Sequence, residues 1–424
     1  MGTPAPYLVE EILEEIFLRL PTPTTLVRVS TACASFRRII TARPFLRRFR
    51  ELHPPPLLGF AATNGGFNPV QEPHPSAPLA RALAEAADFS YSYVPKPGEG
   101  VYTPWSPCDV RDGRVLLLCD RWFRRGPLMD ISRKVLAVCD PLSRRYVLVP
   151  PVPWAMVALQ QKLVHLTFEP ALLGFEPVLA PSGEDEDETS FRVICWANYK
   201  TKFVMFVFSS ATGKWCVAAS SCWSSFGTVE TSEDLMFCFN YFRGNLYWTA
   251  PWGNKLLVFD TCSMEFSTVN ILTSDHMQLI DLPDQSRCIS SVVAATEGAL
   301  EMFTLVRDHS LPDSYHDYHL YHTTQKNNDH SSYKCELVNF QALPRGYCYY
   351  MVGVSEGFVF LRGLREIRVS GCWQGWDADN LFLLDVKTFE LMKVHGGAYC
   401  SSNNAANYVQ PYFGFPPSLS KPSL

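Results

Sequence analysis

Five histidines and one cysteine fall within residues 309–335, and they are the side chains of this sequence best suited to binding a metal. Imidazole and thiolate groups are the ligands that zinc prefers. The stretch is polar and rich in turn residues and contains no second cysteine, so we expect a solvated loop between strands and no metal. The residues concerned are His309, His316, His319, His322, His330 and Cys335.

An acidic run, "GEDEDE" at residues 183–188, is the second stretch whose side chains could bind a ligand. Carboxylates bind calcium and attract basic partners. The run lacks the Asp-x-Asp-x-Asp-Gly spacing of a calcium-binding loop. We therefore expect an exposed acidic loop without a bound ion.

Motifs of known catalytic chemistry are absent from the sequence. No GxSxG elbow, P-loop or GxGxxG stands between a strand-like and a helix-like stretch. Paired carboxylates of the kind that hydrolyse glycosidic bonds cannot be placed either. We predict that the chain is not an enzyme and needs no cofactor.

The composition indicates a large core that is rich in strands. The chain has 424 residues, of which 47% are hydrophobic and 13% aromatic, and aromatic side chains favour strands. The net charge of −5 argues against general nucleic-acid binding. No apolar run approaches the roughly 18 residues that span a bilayer, so no membrane association is expected.

The cysteines point to a reducing compartment. The chain has 14 of them and no CxxC pair. Cys119, Cys139, Cys195 and Cys238 lie inside apolar runs, where a cysteine is usually a buried free thiol. Since no signal peptide is recognisable, we expect a cytoplasmic or nuclear protein.

Two alternating units predict most of the chain after residue 100 to be β-structure. In the first, an apolar run ends in Asp or Ser, passes a short polar turn and resumes as a strand. It occurs at 134–150 (KVLAVCDPLSRRYVLVP), 202–218, 255–270 and 380–394. In the second, a glycine turn leads into a strand. It occurs at 111–120 (RDGRVLLLCD), 242–250, 296–306 and 355–363.

Together the two units predict four-stranded sheets, as in the blades of a β-propeller. Asp140, Asp260 and Asp385 are predicted to cap the turns with their carboxylates. Four blades are clear, 288–340 gives a degenerate fifth, and 56–60 with 407–417 would close a sixth. The expected fold is mainly β: a small helical domain followed by a large β-propeller of about six blades, with five or seven left open.

The first 50 residues have a helical pattern. From Leu8 to Leu20 apolar residues recur with the spacing of one helix face, and Pro21 and Pro23 end that helix. A second short helix is predicted to begin near Leu26, and the stripe from Cys33 to Ile40 predicts a third. "FLRRFR" is expected to add a last turn, so two or three helices are predicted in all.

This segment resembles the F-box, the three-helix motif that binds the Skp-type adaptor of SCF ubiquitin ligases. Leu20-Pro21 matches the second Leu-Pro of the family pattern, Ala32-Cys33 stands for its Val-Cys, and Phe36-Arg37 for its Trp-Arg. Two positions depart from the pattern: Val9 replaces a proline and Phe36 a tryptophan. The resemblance implies an adaptor interface of ten residues. They are Leu8, Ile12, Ile16, Phe17, Leu20, Pro21, Leu26, Cys33, Phe36 and Ile40.

The order of the segments is similar to that of grass-type plant F-box proteins, through residues 45–60 and 411–419. The resemblance implies an F-box domain at 1–50, a proline-rich joint at 51–56 and a β-propeller-like target-recognition domain at 57–424. The implied function is the non-catalytic target-recognition subunit of an SCF ubiquitin ligase. Its partners would be a Skp-type adaptor, through it a cullin-RING ligase, and an unidentified protein target. A stand-alone propeller scaffold and a carbohydrate-binding or carbohydrate-hydrolysing propeller are the alternatives.

Overall fold

The computed structural model describes most residues between Val9 and Gly414. The residues in that span that it does not describe are 21–22, 54, 63–65, 97, 99, 123–130, 132–133, 154, 158–171, 182–189, 200–201, 227–239, 243–244, 250–254, 271–286, 297–298, 309–316, 329–331, 356, 370–371 and 399–408.

Four short helices form the N-terminal helical unit, and a fifth follows the second strand. They are α1 (Glu10–Leu18), α2 (Pro23–Ser30), α3 (Ala34–Ile40), α4 (Arg43–Leu52) and α5 (Ala77–Ala86). The prediction of two or three helices was therefore too low, because "FLRRFR" belongs to a ten-residue helix and not to a single turn. α2 begins at Pro23, earlier than predicted, because proline fits the first turn of a helix.

The helical unit has a hydrophobic core of its own. Its buried members come from all four helices: Phe17, Leu18, Leu26, Ile39, Ile40, Phe45 and Phe49. Cys33 caps α3, since its Sγ accepts a hydrogen bond from the Phe36 N–H at 3.5 Å. Within the described residues, no cluster of buried apolar side chains contains both a residue of α1–α4 and a residue of a strand.

The β body begins at Leu57, and its strands lie in six separate sheets. Sheet 1 contains β1 (Leu57–Ala62), β2 (Phe67–Pro69) and β24 (Val409–Phe413). Sheet 2 contains β3 (Val101–Tyr102), β4 (Ser106–Arg111), β5 (Arg114–Trp122), β6 (Lys134–Asp140) and β7 (Arg145–Val149). Sheet 3 contains β8 (Leu172–Pro181), β9 (Phe191–Tyr199), β10 (Lys202–Ser209) and β11 (Lys214–Cys222).

The other three sheets have four strands each. Sheet 4 contains β12 (Asn240–Phe242), β13 (Asn245–Thr249), β14 (Lys255–Asp260) and β15 (Glu265–Asn270). Sheet 5 contains β16 (Arg287–Thr296), β17 (Ala299–Asp308), β18 (Asp317–Asn328) and β19 (Ser332–Ala342). Sheet 6 contains β20 (Tyr347–Ser355), β21 (Phe358–Val369), β22 (Cys372–Asp385) and β23 (Leu391–Ala398). Every described pairing is antiparallel.

Buried apolar clusters join each sheet to the next one along the chain. One cluster contains Phe60 of sheet 1, Leu117 of sheet 2 and Leu383 of sheet 6. Four more join sheet 2 to 3, 3 to 4, 4 to 5 and 5 to 6. Because sheet 1 contacts both the second sheet and the last, the sheets form a closed ring. This arrangement is β-propeller-like, and the predicted mainly β fold is confirmed.

Hydrogen bonds also close the ring. β24, the last described strand, pairs with β1, the first strand of the β body, from Leu57 to Ala62. The Tyr412 hydroxyl donates to the carbonyl of Gly113, in the turn between β4 and β5 of sheet 2, at 3.2 Å. Trp215 of sheet 3 donates its Nε1–H to the carbonyl of Pro150, which follows sheet 2, at 2.7 Å.

The three predicted aspartate turns are confirmed. Each carboxylate accepts hydrogen bonds from the main-chain N–H groups two and three residues further on. The distances are 2.9 and 3.2 Å at Asp140, 2.7 and 3.3 Å at Asp260, and 2.8 and 3.0 Å at Asp385. These aspartates hold turns, which matches their predicted role.

The expectation of a loop around His319 and His322 was wrong. Both residues lie on β18, in the middle of sheet 5. Tyr318 and Leu320 alternate with them and are buried against sheet 6. The stretch therefore follows the two-residue period of a strand, which its many polar residues obscured.

Candidate partner-binding surface of the helical unit

One face of α1 carries apolar side chains that the rest of the chain leaves half exposed. Val9 is 52% exposed, Ile12 48% and Ile16 45%. Ile12 and Ile16 are four residues apart and so lie on one side of α1, and Val9 is the extended residue that precedes the helix. We call these three residues the α1 stripe. The sequence did not nominate Val9, although the same spacing could have identified it.

The remainder of α1 is tied to the helical unit. Phe17 and Leu18 are buried, and the ring of Phe17 lies edge-on to that of Phe36 at 5.0 Å between centroids. Arg48 of α4 forms ion pairs with Glu14 at 3.0 Å and with Glu15 at 2.7 Å.

A further ion pair joins Arg38 of α3 to Glu10. Glu10, Glu14 and Glu15 therefore face arginines of α3 and α4, while the α1 stripe is left to solvent. Exposed pairs of this kind contribute little to stability, so they orient α1 more than they stabilise it.

The ten residues of the predicted adaptor interface fall into four groups. Ile12, Ile16 and Cys33 are exposed, and Leu20 and Phe36 are half-buried. Phe17, Leu26 and Ile40 lie inside the helical core, where Leu26 and Ile40 have no exposed surface. In this structure those three contact other helices, so they can support a partner surface only indirectly. Leu8 and Pro21 lie outside the described residues.

The α1 stripe is too small to form a whole interface. Stable protein complexes cover about 800 Å² on each partner, and three half-exposed aliphatic side chains supply only part of that. Full burial of a large aliphatic side chain is worth about 1.5–3 kcal/mol. Any partner that bound the stripe would therefore have to contact neighbouring surface as well.

Among the described residues of the β body, His322 and Glu301 form a buried histidine–carboxylate pair. His322 Nε2 lies 3.5 Å from Glu301 Oε2. The imidazole ring is parallel to Phe303 at 4.5 Å and to Phe389 at 6.0 Å. Burial lowers the pKa of His322, against the opposing effect of Glu301. Among the described residues no three His, Cys, Asp or Glu side chains meet in a group that could hold a metal.

A second buried charged pair joins sheets 2 and 3. Asp109 Oδ2 accepts a hydrogen bond from the Leu179 N–H at 2.7 Å, and Arg111 Nε donates to the Leu179 carbonyl at 2.9 Å. Burial raises the pKa of the Asp109 carboxyl, although Arg111 acts in the opposite direction. Two side chains of β4 thus bond to the main chain of β8, which is a structural role.

The other predicted chemical groups give no site. Cys119, Cys139 and Cys195 are buried free thiols, as predicted. Cys238, the acidic run at 183–188 and His309, His316 and His330 lie outside the described residues. Throughout the described chain, each helix is too short or too polar to cross a membrane.

No family model matches the chain, and no curated protein matches it. Several solved structures have a weak likeness. A fungal alcohol oxidase of the AA5 family in complex with copper has 10% identity and a TM-score of 0.32, over 71% of this chain and 68% of the oxidase. A polysaccharide lyase has 12% identity and a TM-score of 0.32, over 80% of each chain.

An exo-1,5-α-L-arabinanase from a bovine ruminal metagenomic library has 12% identity and a TM-score of 0.29, over 70% of this chain and 99% of the arabinanase. Scores this low assign neither a family nor an activity to this chain.

Proposed function

We propose that the protein is the target-recognition subunit of an SCF-type ubiquitin ligase. The helical unit binds a Skp-type adaptor, and the β body, as a propeller of six blades, holds the target. The protein itself makes and breaks no bonds. It raises the effective concentration of target lysines beside the charged ubiquitin carrier.

The observation that carries the proposal is the exposed α1 stripe on a unit that has its own core. A helical cap that served only to cover the β body would bury its apolar face against the strands. Here Ile12 and Ile16 are half exposed, and no described core cluster joins α1–α4 to a strand. The order of F-box-like residues in the sequence adds independent support.

A pull-down with a purified plant Skp-type adaptor tests the proposal. We expect the double variant Ile12→Asp/Ile16→Asp to lose most of its binding, by tenfold or more, because two charged side chains would meet an apolar partner surface. Leu79→Asp is the matched control, since Leu79 is an equally exposed (49%) leucine on α5, outside the helical unit.

Hydrogen exchange of α1–α4 shows whether the double variant still folds. Equal recovery of the wild type and the folded double variant would contradict the proposed adaptor site. Failure of the wild-type protein to bind any adaptor would contradict the proposed function.

A further inference from the structure

Two tyrosine hydroxyls near the closure of the ring are buried, and neither has a hydrogen-bond partner among the described residues. Tyr91 is 1% exposed, and Tyr93 is half-buried with a buried hydroxyl oxygen. A buried hydroxyl usually has a partner, because losing water without gaining a hydrogen bond destabilises the fold. The neighbouring Tyr412 follows this rule, since its hydroxyl donates to the Gly113 carbonyl.

The two tyrosines belong to segment 88–94, which lies between α5 and β3 and packs in the apolar cluster of sheets 1, 2 and 6. Both ends of the segment are fixed. The Asp88 N–H donates to the Pro141 carbonyl at 2.9 Å, and Trp105 Nε1–H donates to the Val94 carbonyl at 2.9 Å. The two hydroxyls are therefore positioned by contacts that do not involve hydrogen bonds of their own.

The main chain at Tyr91 is strained. Its φ of 55° lies in the left-handed region, which a bulky residue rarely adopts. Asp88 Oδ1 accepts hydrogen bonds from the Ser90 N–H at 3.0 Å and from the Ser90 hydroxyl at 2.6 Å, and the Val94 N–H donates to the Tyr91 carbonyl at 3.1 Å. Strained residues persist only where the surrounding structure fixes them. The segment thus holds the Tyr91 ring inside the cluster.

The thiol of Cys139 lies beside both hydroxyls. Burial first, and the Cys139 thiol second, raise the pKa of Tyr91 and of Tyr93. Burial also raises the pKa of Cys139 to about 12. All three groups are therefore protonated and neutral at pH 7. The nearby Asp140 carboxylate accepts hydrogen bonds from its own turn.

A neutral ligand fits this set of groups best. A metal ion would require ionised ligands, and an apolar molecule would leave the hydroxyls without hydrogen bonds. A buried water typically binds otherwise unsatisfied polar groups and needs two to four of them. Each phenol can both donate and accept a hydrogen bond, and a thiol can do both weakly.

We propose that one buried water molecule binds between the hydroxyls of Tyr91 and Tyr93 and the thiol of Cys139. The water joins segment 88–94 to β6, on which Cys139 lies, beside the strands that close the ring. It is a structural ligand of the β body. The proposal does not depend on the function proposed for the helical unit.

Chemical denaturation of the full-length protein tests the proposal through the sign of the effect. With a bridging water, Tyr91→Phe and Tyr93→Phe each remove a hydrogen bond from it, and we expect each to raise the equilibrium constant for unfolding about fivefold. The double variant should raise it by less than the product of the two single effects, because the first change already weakens the binding of the shared water.

Tyr349→Phe is the matched control. Tyr349 is also 1% exposed, but its hydroxyl donates directly to the Pro344 carbonyl at 3.0 Å. This variant should lose stability to a similar extent, and its effect should multiply with that of Tyr91→Phe without coupling. The control shows how much a directly bonded, buried tyrosine hydroxyl contributes in this protein.

Oxygen-17 magnetic relaxation dispersion, which detects water molecules with long residence times in a protein, provides a second measurement. The wild type and Tyr349→Phe should hold one more such water than the Tyr91→Phe/Tyr93→Phe variant. An equal number in all three proteins would overturn the proposal. So would a gain in stability in either single variant, because removing a hydroxyl that has no partner stabilises a fold. Independent effects of the two changes would contradict a shared water.

Discussion

The helical unit and the β body bury their apolar side chains in different ways. The helical unit has one cluster, built from four short helices, and leaves the α1 stripe half exposed. The β body has five clusters, and each is shared by two or three neighbouring sheets. A unit of this size rarely gains more than about 3–5 kcal/mol from its core. Closing a ring lets neighbouring sheets cover one another, whereas the small helical bundle leaves the α1 stripe exposed.

The largest expected effect comes from a charge placed in the helical core. Leu26 has no exposed surface, and an unpaired buried carboxylate costs several kcal/mol, which is comparable to the whole stability of the unit. We expect Leu26→Asp to unfold α1–α4 and to leave the β body folded. Hydrogen exchange measured by mass spectrometry should show lost protection in residues 10–52 only.

Ile12→Asp is the control for this experiment, because Ile12 is exposed and its change should leave protection intact. Loss of protection in both regions of the Leu26→Asp variant would show that they fold as one cooperative unit. The helical unit and the β body would then not be independently stable, although their cores are separate.

The second largest effect concerns closure of the ring. A Cβ on Gly59 would lie 2.4 Å from the main-chain oxygen of Asn68, so Gly59→Ala must displace β1 or β2. We expect it to lower the free energy of unfolding of the β body by about 1–3 kcal/mol. Chemical denaturation followed by tryptophan fluorescence measures this change.

Gly363→Ala is the comparison for ring closure. The atoms nearest to its Cβ would belong to the side chains of Phe382 (2.7 Å) and Tyr349 (3.2 Å), and side chains can move more easily than main chain. A smaller loss is therefore expected. Equal losses of unfolding free energy in the two variants would show that β1 makes room for the added methyl group as readily as the side chains around Gly363 do.

Sequence reasoning predicted local elements better than their placement. The aspartate turns were predictable because each uses a side chain two or three residues from its partner. β1 and β24 were correctly paired from two apolar segments 350 residues apart in sequence, because an open ring would leave strand edges unpaired. The hydrogen bonds of Asp109 and Arg111 with the main chain of Leu179 were not predicted, because nothing in the sequence of β4 indicates which strand of the next sheet lies beside it.

The candidate surface was only partly predictable for a similar reason. The spacing of apolar residues predicts a helix with an apolar face. It does not separate apolar residues that face the unit's own core from those that face solvent. Ile12 and Ile40 have equivalent positions in their patterns, yet one is half exposed and the other is buried. The difference arises from how α1 crosses α3 and α4.

A third prediction tests the energetic cost of burying the carboxyl of Glu176 within the β body. Glu176 on β8 is partly buried, and burial raises the pKa of its carboxyl well above the usual range. A carboxyl with a raised pKa in the folded state destabilises the fold when it is ionised, so stability increases as pH falls through the folded pKa.

We therefore expect Glu176→Gln to raise the melting temperature of the β body at pH 7.5, with a gain that shrinks as the pH approaches the ordinary value of a glutamate. Differential scanning calorimetry of both proteins at a series of pH values measures it. A gain that does not vary with pH would show that the pKa of the Glu176 carboxyl is the same in the folded and the unfolded protein. The helical unit should melt unchanged.

The smallest expected effect concerns the repeated turns of the β body. The fifth residue of the outer turn has a positive φ in four sheets: 55° at Arg144, 65° at Gly213, 59° at Met264 and 58° at Phe389. At Gly213 a Cβ would meet no atom within 4 Å, so Gly213→Ala changes only the backbone preference. We expect a loss of about 1 kcal/mol, and a smaller loss in Gly213→Asn because asparagine tolerates this conformation. Denaturation curves should rank the proteins, from most to least stable, as the wild type with glycine, the asparagine variant and the alanine variant.

Equal stability of the asparagine and alanine variants would show that the turn shifts to another conformation. The repeated turn geometry would then be a consequence of the strand pairing and not a cause of it.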